Sequence, residues 1–194
     1  ITMLIAIPAA FALSRMRFWG SATLATGVFL TYLIPETLLF IPLFKMFAWF
    51  NETFGIQLMN HWWTLIILYP TLTVPFCTWI MIGYFASIPK ELDEAAIIDG
   101  ANPFQIFFMI KVPQIMGTIV VVWTTITITV LKVFDIVRVM TGGQQETQVL
   151  ANYMYDKLFR SLDWGVGSAS AMVIMLLVTP ILIWNVYNAR KEMR

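Results

Sequence analysis

The chain has 194 residues and a net charge of +1, and 59% of its residues are hydrophobic whereas only 12% are charged. Because so few charged side chains cannot cover a water-exposed surface, the composition excludes an ordinary soluble domain and predicts a protein surrounded largely by lipid. The basic residues neither cluster nor alternate with aromatic residues, which excludes a nucleic-acid-binding surface. Cys77 is the only cysteine, so an internal disulfide and a thiolate metal site are excluded as well.

The apolar segments predict a chain built from transmembrane helices. At 1.5 Å per residue, a helix needs roughly 20 residues to cross about 30 Å of hydrocarbon. Residues 1–13 are apolar but shorter, and we interpret them as the end of a truncated span. The remaining predicted spans are residues 21–44, 63–86, 114–133 and 166–187. The expected fold is therefore all-α, a polytopic transmembrane helical bundle with about five spans, and residues 1–194 are expected to form a single transmembrane domain.

Two polar segments separate these spans on the side that we assign to the outside. Residues 45–62 are predicted to form a polar, aromatic loop. Residues 134–165 are long enough to hold structure of their own, with a turn at Thr141–Gln144 and an amphipathic helix over residues 147–160. We expect this helix to lie on the outer surface of the membrane.

The distribution of basic residues supports this orientation, because cytoplasmic segments are enriched in lysine and arginine. The segments assigned to the inside hold seven basic residues and those assigned to the outside hold four, if Lys132 at the boundary of its span is left out. The seven are Arg15, Arg17, Lys90, Lys111, Arg190, Lys191 and Arg194, and the four are Lys45, Arg138, Lys157 and Arg160. The loop over residues 87–113 is therefore predicted to face the cytoplasm.

Residues 87–113 are polar with helical character, and their first half predicts a short helix. Pro89 suits a first helical turn because its missing N–H would have no partner there. Three carboxylates follow early in the helix, where the helix dipole favours them: Glu91, Asp93 and Glu94. Apolar residues at helical spacing give this helix one small, apolar face, made of Ile88, Leu92, Ala95 and Ala96.

The second half of the loop predicts a sharp turn and another helix. Gly100 stands at the natural end of the first helix, since a residue without Cβ adopts the left-handed cap conformation at little cost. Asn102, Pro103 and Gln105 have the spacing of a helix start with a capping box. The predicted order is helix, glycine turn, helix.

The spacing of Glu94-Ala95-Ala96, Gly100, Ile110 and Val112-Pro113 resembles the coupling signature of bacterial ATP-binding-cassette importer permeases. That family has Leu before the final Pro, so Val112 is a mild departure. The resemblance implies a bundle of the type I importer kind, whose loop helix inserts into a groove on a cytoplasmic ATPase subunit. It also implies the residues that couple to the ATPase: Glu94, Ala95, Ala96, Asp99, Gly100, Ile110 and Pro113.

Other stretches resemble sugar-importer permeases. Residues 9–20 and 41–44 look like the early part of permeases of the maltose and multiple-sugar type. Residues 131–137 and 140–143 look more like the partner subunit in α-glucoside systems. In such importers two different permeases pair, and the sequence does not decide which of the two this chain is.

The resemblance also implies partners and a location. We expect a multi-pass protein of the bacterial inner membrane that works with a second permease subunit, two cytoplasmic ATPase subunits and an extracytoplasmic solute-binding protein, and that imports a sugar. The chain has no Gly-x-x-x-x-Gly-Lys-Ser/Thr element, so we expect ATP and Mg to bind to the partner ATPase. No catalytic constellation or cluster of metal ligands emerges, and we expect no enzyme activity, cofactor or metal in this chain.

Polar residues inside the spans are the candidates for contact with the solute, because buried polar groups in lipid are unfavourable unless a partner or ligand satisfies them. We select Thr124, Thr127 and Asp135, with Trp79 as a stacking surface. The alternative for each threonine is a hydrogen bond to its own helix.

Two other kinds of transporter fit parts of the sequence. An ion-coupled secondary transporter would also use broken helices and carboxylates within the membrane, but it would not need the pattern over residues 94–113. An importer permease for a solute other than a sugar would share that pattern. A membrane-embedded enzyme would require histidines or carboxylates clustered at one depth, and the sequence offers no such cluster.

Overall fold

A computed structural model describes residues 1–16, 18–56, 58 and 61–192, without the side chains of residues 145 and 189–192. Arg17 and Arg194 of the predicted orientation lie outside the described residues, as do the side chains of Arg190 and Lys191. The described residues form helices joined by short turns. In chain order these are α1 (Thr2–Arg15), α2 (Ser21–Leu33), α3 (Glu36–Phe54), α4 (Trp62–Ser87), α5 (Glu91–Ile98), α6 (Pro103–Gln114), α7 (Met116–Leu131), α8 (Asp135–Met140), α9 (Leu150–Tyr155) and α10 (Trp164–Glu192).

Three shorter elements of tighter or wider winding accompany these helices. A π-helical segment, Ile106–Lys111, lies inside α6, and a second one, Asp156–Arg160, continues α9. A 3₁₀ turn at Gln145–Thr147 precedes α9. The predicted amphipathic helix over residues 147–160 is thus present, but its regular part begins three residues later than predicted, at Leu150.

The helices have the length and composition of a membrane protein. Within the described part of the chain, α4 and α10 are each long and apolar enough to cross a bilayer. The pairs α2 with α3 and α6 with α7 each qualify as a bent span, which raises the number from two to as many as four, and α1 is a shorter apolar helix. The predicted all-α transmembrane bundle is therefore confirmed. α4 also matches the predicted span over residues 63–86 closely, and it passes through Pro70 and Pro75 without a break.

The predicted boundaries of the second span were wrong. α2 ends at Leu33 and α3 begins at Glu36, because Pro35 donates no N–H and disfavours helical geometry in the residue before it. α3 then passes through Pro42 and continues to Phe54, so residues 45–54, predicted as a polar loop, are helical. Two buried phenylalanines seven residues apart, Phe40 and Phe47, share one face of α3 and hold it in the core beyond the proline.

The chain divides into two compact units, each with an apolar core. The first unit comprises Ile1–Leu33, Thr73–Trp123 and the end of α10, and the second comprises Ile34–Leu72 and Thr124–Val186. Buried residues of the first core are Ala10, Met81, Phe85, Ile88 and Ile115. Those of the second core are Phe40, Phe47, Leu65, Leu68, Ile136, Val137 and Met140. A single domain over residues 1–194 stays a prediction.

The segment between α8 and α9 forms the predicted turn. Gly142 and Gly143 both have left-handed backbones, with φ of +64° and +75°. The hydroxyl of Thr147 lies 2.7 Å from that of Thr141 and donates to the Gln144 carbonyl at 2.7 Å. Asn152, which is fully buried, donates to the Gly142 carbonyl at 3.3 Å. The side chains of Thr147 and Asn152 thus hold the turn in place.

We expect Gly143→Ala to destabilise the protein more than Gly142→Ala. Both variants pay a left-handed strain of about 1–2 kcal/mol. A Cβ at position 143 would also lie 2.2 Å from Gln148 Oε1 and 2.3 Å from the buried Asn152 Nδ2, whereas one at position 142 meets no atom within 4 Å. The extra overpacking should cost about 1–3 kcal/mol. Thermal unfolding in detergent, followed by tryptophan fluorescence, measures the difference, and equal losses in midpoint would contradict the packing seen here.

Candidate functional site

The predicted coupling loop, residues 87–113, begins with α5. This helix starts at Glu91, so Pro89 precedes the helix rather than lying in its first turn. The three acidic residues do occupy the first turn, where the positive end of the helix dipole stabilises them. Lys90 stands at the N-cap without a side-chain capping bond. The negative charge predicted at the start of the loop is therefore present.

Gly100 ends α5 in the way the sequence predicts. Its φ of +83° is left-handed, a conformation that residues with a Cβ adopt only with strain. Its N–H donates to the Ile97 carbonyl at 3.0 Å, and the N–H of Ala101 donates to the Ala96 carbonyl at 2.9 Å. These two bonds form a Schellman motif and satisfy carbonyls that the helix end would leave free. The chain therefore reverses sharply at Gly100.

The second helix of the loop starts with the predicted capping box. The N–H of Gln105 donates to Asn102 Oδ1 at 2.9 Å, and the N–H of Asn102 donates to Gln105 Oε1 at 2.8 Å. Pro103 occupies the first helical turn, where no N–H is needed. α6 then ends shortly after Pro113, and the chain bends by 70° between α6 and α7. Pro113 fits this break because proline removes a backbone bond and clashes with the preceding turn.

A buried ionic cluster, which we call the ionic joint, lies beneath α5 and consists of Arg15, Asp93 and Lys111. Lys111 Nζ lies 2.5 Å from Asp93 Oδ2, and Arg15 Nη1 lies 4.0 Å from the same oxygen. The side chain of Lys111 is 1% exposed and that of Arg15 is 10% exposed, whereas Asp93 retains 25%. Asp93 thereby connects α5 to the last residue of α1 and to α6.

Arg15 also fixes the end of α4. Its Nε donates to the Phe85 carbonyl at 2.9 Å, and its Nη2 donates to the Ile88 carbonyl. A cation at the C-terminal end of a helix is stabilised both by the free carbonyls and by the helix dipole. The ionic joint therefore gathers α1, α4, α5 and α6 at one end of the first unit.

Two open depressions adjoin the loop. One of about 370 Å³ brings the adjacent residues Asp99 and Gly100 of the coupling signature together with Ile110, ten residues further along the chain. Its other lining residues are Ala101, Gln105 and Met109. The second, of about 700 Å³, lies over the ionic joint and is lined by Ser14, Arg15, Ala86, Lys90, Asp93 and Glu94.

The predicted apolar face of α5 does not point in a single direction. Ile88 and Ala96 are buried within the first unit, at 6% and 7% exposure. Leu92 and Ala95 are exposed, as are Glu94 and Asp99. The four residues are thus divided between internal packing and the free surface, and Ile88 lies before the start of α5.

Sequence reasoning missed most of the apolar surface of this loop. Large side chains on α5 and α6 are strongly exposed, namely Ile97 (62%), Ile98 (84%), Phe104 (76%), Phe108 (62%) and Met109 (72%). We call these five residues the apolar patch. The sequence analysis assigned no surface position to these five residues. Asp93 and Lys111 were also missed as a pair, because 18 residues separate them.

The predicted solute-contacting residues fall in both units. Thr124, in the second unit, is 1% exposed and accepts a hydrogen bond from Asn185 Nδ2, a partner that the sequence did not reveal. Thr127 is half-buried, and Asp135 is exposed in the first turn of α8. The alternative to solute contact was a hydrogen bond to the residue's own helix. The neighbouring Thr129 makes such a bond, since its hydroxyl donates to the Thr125 carbonyl at 3.0 Å.

Trp79 lies in the first unit within an aromatic group. Its ring centroid is 5.1 Å from that of Phe29 and 6.4 Å from that of Tyr32. The side chain is 44% exposed, so one part of the ring packs and another part is free. Such a ring offers an apolar face for stacking.

Known proteins resemble most of this chain. A family model described as binding-protein-dependent transport system inner membrane component matches residues 3–193. The alpha-glucoside transport system permease protein AglF of Rhizobium meliloti is 53% identical over 146 residues, which cover 75% of this chain and 42% of AglF. The osmoprotective compounds uptake permease protein GgtC of Synechocystis sp. is 46% identical over 121 residues, which cover 61% of this chain and 43% of GgtC. The chain therefore spans less than half the length of these two relatives.

A solved structure shows the same fold. A bacterial ABC transporter involved in the import of the acidic polysaccharide alginate matches with a TM-score of 0.77 at 19% identity, covering 99% of this chain and 73% of that chain. The expected bundle of the importer-permease kind is thereby confirmed.

Adjacent cysteines should report the orientation of α5. In a Cys77→Ala background, which removes the buried native thiol, we expect Ala95→Cys to react with N-ethylmaleimide about tenfold faster than Ala96→Cys. The two positions share the same helix turn and differ in burial, since Ala96 is 7% exposed and Ala95 is exposed. Mass spectrometry of the purified protein measures both rates. Similar rates would show that α5 does not pack as described.

Proposed function

Because the chain belongs to the family of binding-protein-dependent transport system inner membrane components, we propose that it is the transmembrane permease subunit of an ATP-driven importer. In this proposal it spans a bacterial inner membrane beside a second permease subunit. Two cytoplasmic ATPase subunits bind ATP and Mg and supply the energy. An extracytoplasmic solute-binding protein delivers the solute, and this chain forms part of the route.

The proposed solute is a sugar or an oligosaccharide. AglF is named for the transport of alpha-glucosides, which supports a sugar. GgtC is named for osmoprotective compounds, which supports a second candidate class of small polar solutes. Both classes carry several hydroxyl or other polar groups, so both would need paired polar side chains along an apolar route.

The coupling loop carries this proposal. α5 and α6 are reversed at Gly100 and together expose both the apolar patch and carboxylates, including Glu94 and Asp99. Apolar side chains at the centre of a contact and charges at its edge are the usual composition of a protein interface. A short helix with exposed apolar residues also suits insertion into a groove on a partner. We assign this surface to the ATPase subunits.

Movement of the ATPase subunits would then change the arrangement of the transmembrane helices. When the two ATPase subunits close on ATP, the loop moves with them as a rigid body, and α6 passes the movement to α7 across the bend. ATP must favour one arrangement of the spans over the other for this to happen. Glu94 and Asp99 would be paired with basic groups of the ATPase, which fixes the orientation of contact more than its strength.

The solute route is proposed to involve Trp79, Thr124, Thr127 and Asp135. The exposed part of the Trp79 ring is suited to stack on the apolar face of a sugar. Thr124 already accepts a bond from Asn185, so a solute at Thr124 would have to share or replace that bond. Asn185 is therefore added to the proposed polar contacts of this route.

Substitutions at two glycines should distinguish a loss of coupling from the general effect of backbone strain. Gly100→Val and Gly55→Val both place a Cβ at positive φ, +83° and +66°, and neither meets an atom within 4 Å. Each strain of about 1–2 kcal/mol changes a local population by about 5–30-fold. We expect Gly100→Val to lower solute-stimulated ATP turnover and uptake by that factor in the assembled complex, whereas Gly55→Val, at the end of α3, leaves both close to wild type.

Proteoliposomes with the second permease, the ATPase and the binding protein provide the measurement. Normal coupled turnover in Gly100→Val would contradict the assigned role of the loop. Uptake that runs on an ion gradient without ATP would contradict the importer itself.

Labelling from one side of the membrane should place the loop. In the Cys77→Ala background, we expect Asp99→Cys to be protected from a membrane-impermeant maleimide in spheroplasts and to react after permeabilisation. Glu52→Cys, an exposed position near the end of α3, should react in both conditions. Asp99→Cys should also crosslink to the ATPase. Labelling of Asp99→Cys from outside would reverse the orientation and remove the proposed contact.

A further inference from the structure

In the first unit, the carboxylate of Asp93 lies between the buried Lys111 and the mostly buried Arg15. Asp93 Oδ2 receives both Lys111 Nζ at 2.5 Å and the more distant Arg15 guanidinium at 4.0 Å. Its other oxygen, Oδ1, is buried without a hydrogen-bond partner among the residues that the structure describes. Asp93 therefore directs its charge inward, toward the unit's own helices.

The burial of Lys111 makes this contact obligatory. Its side chain is 1% exposed and packs with its Nζ 5.8 Å from the centroid of the Phe11 ring of α1. A buried ammonium group is strongly unfavourable unless an anion compensates it. In the described part of the chain, Asp93 is the carboxylate within salt-bridge distance of Lys111. Separation of α5 from α6 would leave that charge without compensation.

We propose that Asp93 is a positioning residue that locks α5 to α6 through Lys111, so that movement of the coupling loop reaches α7 instead of being absorbed at the glycine turn. This inference rests on the proposed function. Gly100 makes the turn between α5 and α6 sharp, but a short turn alone does not fix the angle between two helices. The ionic joint attaches α5 to α6 at a second point, besides the turn at Gly100. With two attachments, α5 and α6 would move together as one rigid body.

The other carboxylates of the loop do not have this role. Glu91, Glu94 and Asp99 are exposed, and none of them lies within 4.0 Å of a basic group among the described side chains. Glu91 shares the first turn of α5 with Asp93 and carries the same charge. It is therefore the matched control for removal of a carboxylate from this helix.

The test measures ATP hydrolysed per solute imported in the fully assembled complex. We expect Asp93→Asn to lower the solute imported per ATP by about tenfold, within the 5–150-fold range usual for coupling between sites, and Glu91→Gln to leave it unchanged. Asp93→Glu keeps the charge and has room, because Asp93 borders the depression of about 700 Å³. It should restore most of the ratio, which a role in packing alone would not predict.

A double-mutant cycle measures the contribution of the interaction between Asp93 and Lys111. Lys111→Met should lower the ratio as Asp93→Asn does, and the double variant should lose no more than the worse single variant, since both remove the same interaction. If Asp93→Asn fails to assemble, the ratio is measured in Asp93→Leu with Lys111→Met, which removes both charges and avoids a buried unpaired ion. Assembly with a low ratio supports the ionic lock.

Two results would overturn the inference. One is a normal ratio in assembled Asp93→Asn, and the other is a normal ratio in the assembled Asp93→Leu, Lys111→Met variant. Failure of the proposed function is distinct, because the wild-type complex would then show no ATP-driven uptake at all.

Discussion

A lysine that is 1% exposed governs the arrangement of the first unit. Removing one member of a buried ion pair typically costs about 3–5 kcal/mol, because the remaining charge is left in a poor solvent. Lys111 therefore requires Asp93, and Asp93 belongs to α5, a helix of only eight residues whose isolated stability is marginal. Arg15 draws the end of α4 into the same cluster through the Phe85 carbonyl. The short helix α5 is thus held by Lys111, the least exposed charge of the ionic joint.

The same requirement, that buried polar groups find partners, explains the polar pair seen in the second unit. Thr124 and Asn185 come from α7 and α10, and their hydrogen bond satisfies a hydroxyl that is 1% exposed. In lipid, where water cannot replace a lost bond, such pairs fix how neighbouring helices pack. Packing between apolar side chains explains the two prolines: Pro35 follows the end of α2, whereas Pro42 is tolerated inside α3, where the buried Phe40 and Phe47 on either side keep the helix packed. The neighbouring packing, rather than the proline alone, decides which outcome occurs.

Local signals in the sequence were sufficient to predict much of the structure of the loop over residues 87–113. Gly100 and the pair Asn102 and Gln105 act on backbone groups within five residues, so their spacing alone predicts the turn and the cap. The extent of α4 follows from composition in the same way, whereas the extent of α3 does not. The ionic joint could not be predicted, because Asp93 and Lys111 are 18 residues apart and their contact depends on the angle between two helices. The inward position of Ala96 and the helical path through Pro42 likewise depend on packing between elements.

The two neighbouring carboxylates of α5 show how one short helix can serve two surfaces. Successive residues of an α-helix point about 100° apart, so Asp93 contacts Lys111 while Glu94 is exposed, although both line the depression of about 700 Å³. In the proposed function, Glu94 belongs to the surface that a partner contacts, and Asp93, the residue immediately before it, makes the internal attachment to Lys111. A helix that only touched a partner could be mobile, and a helix that only filled the core would need no charge. Because α5 has both an anchored side and a free side, a force applied to the free side has a defined point at which it enters the rest of the unit.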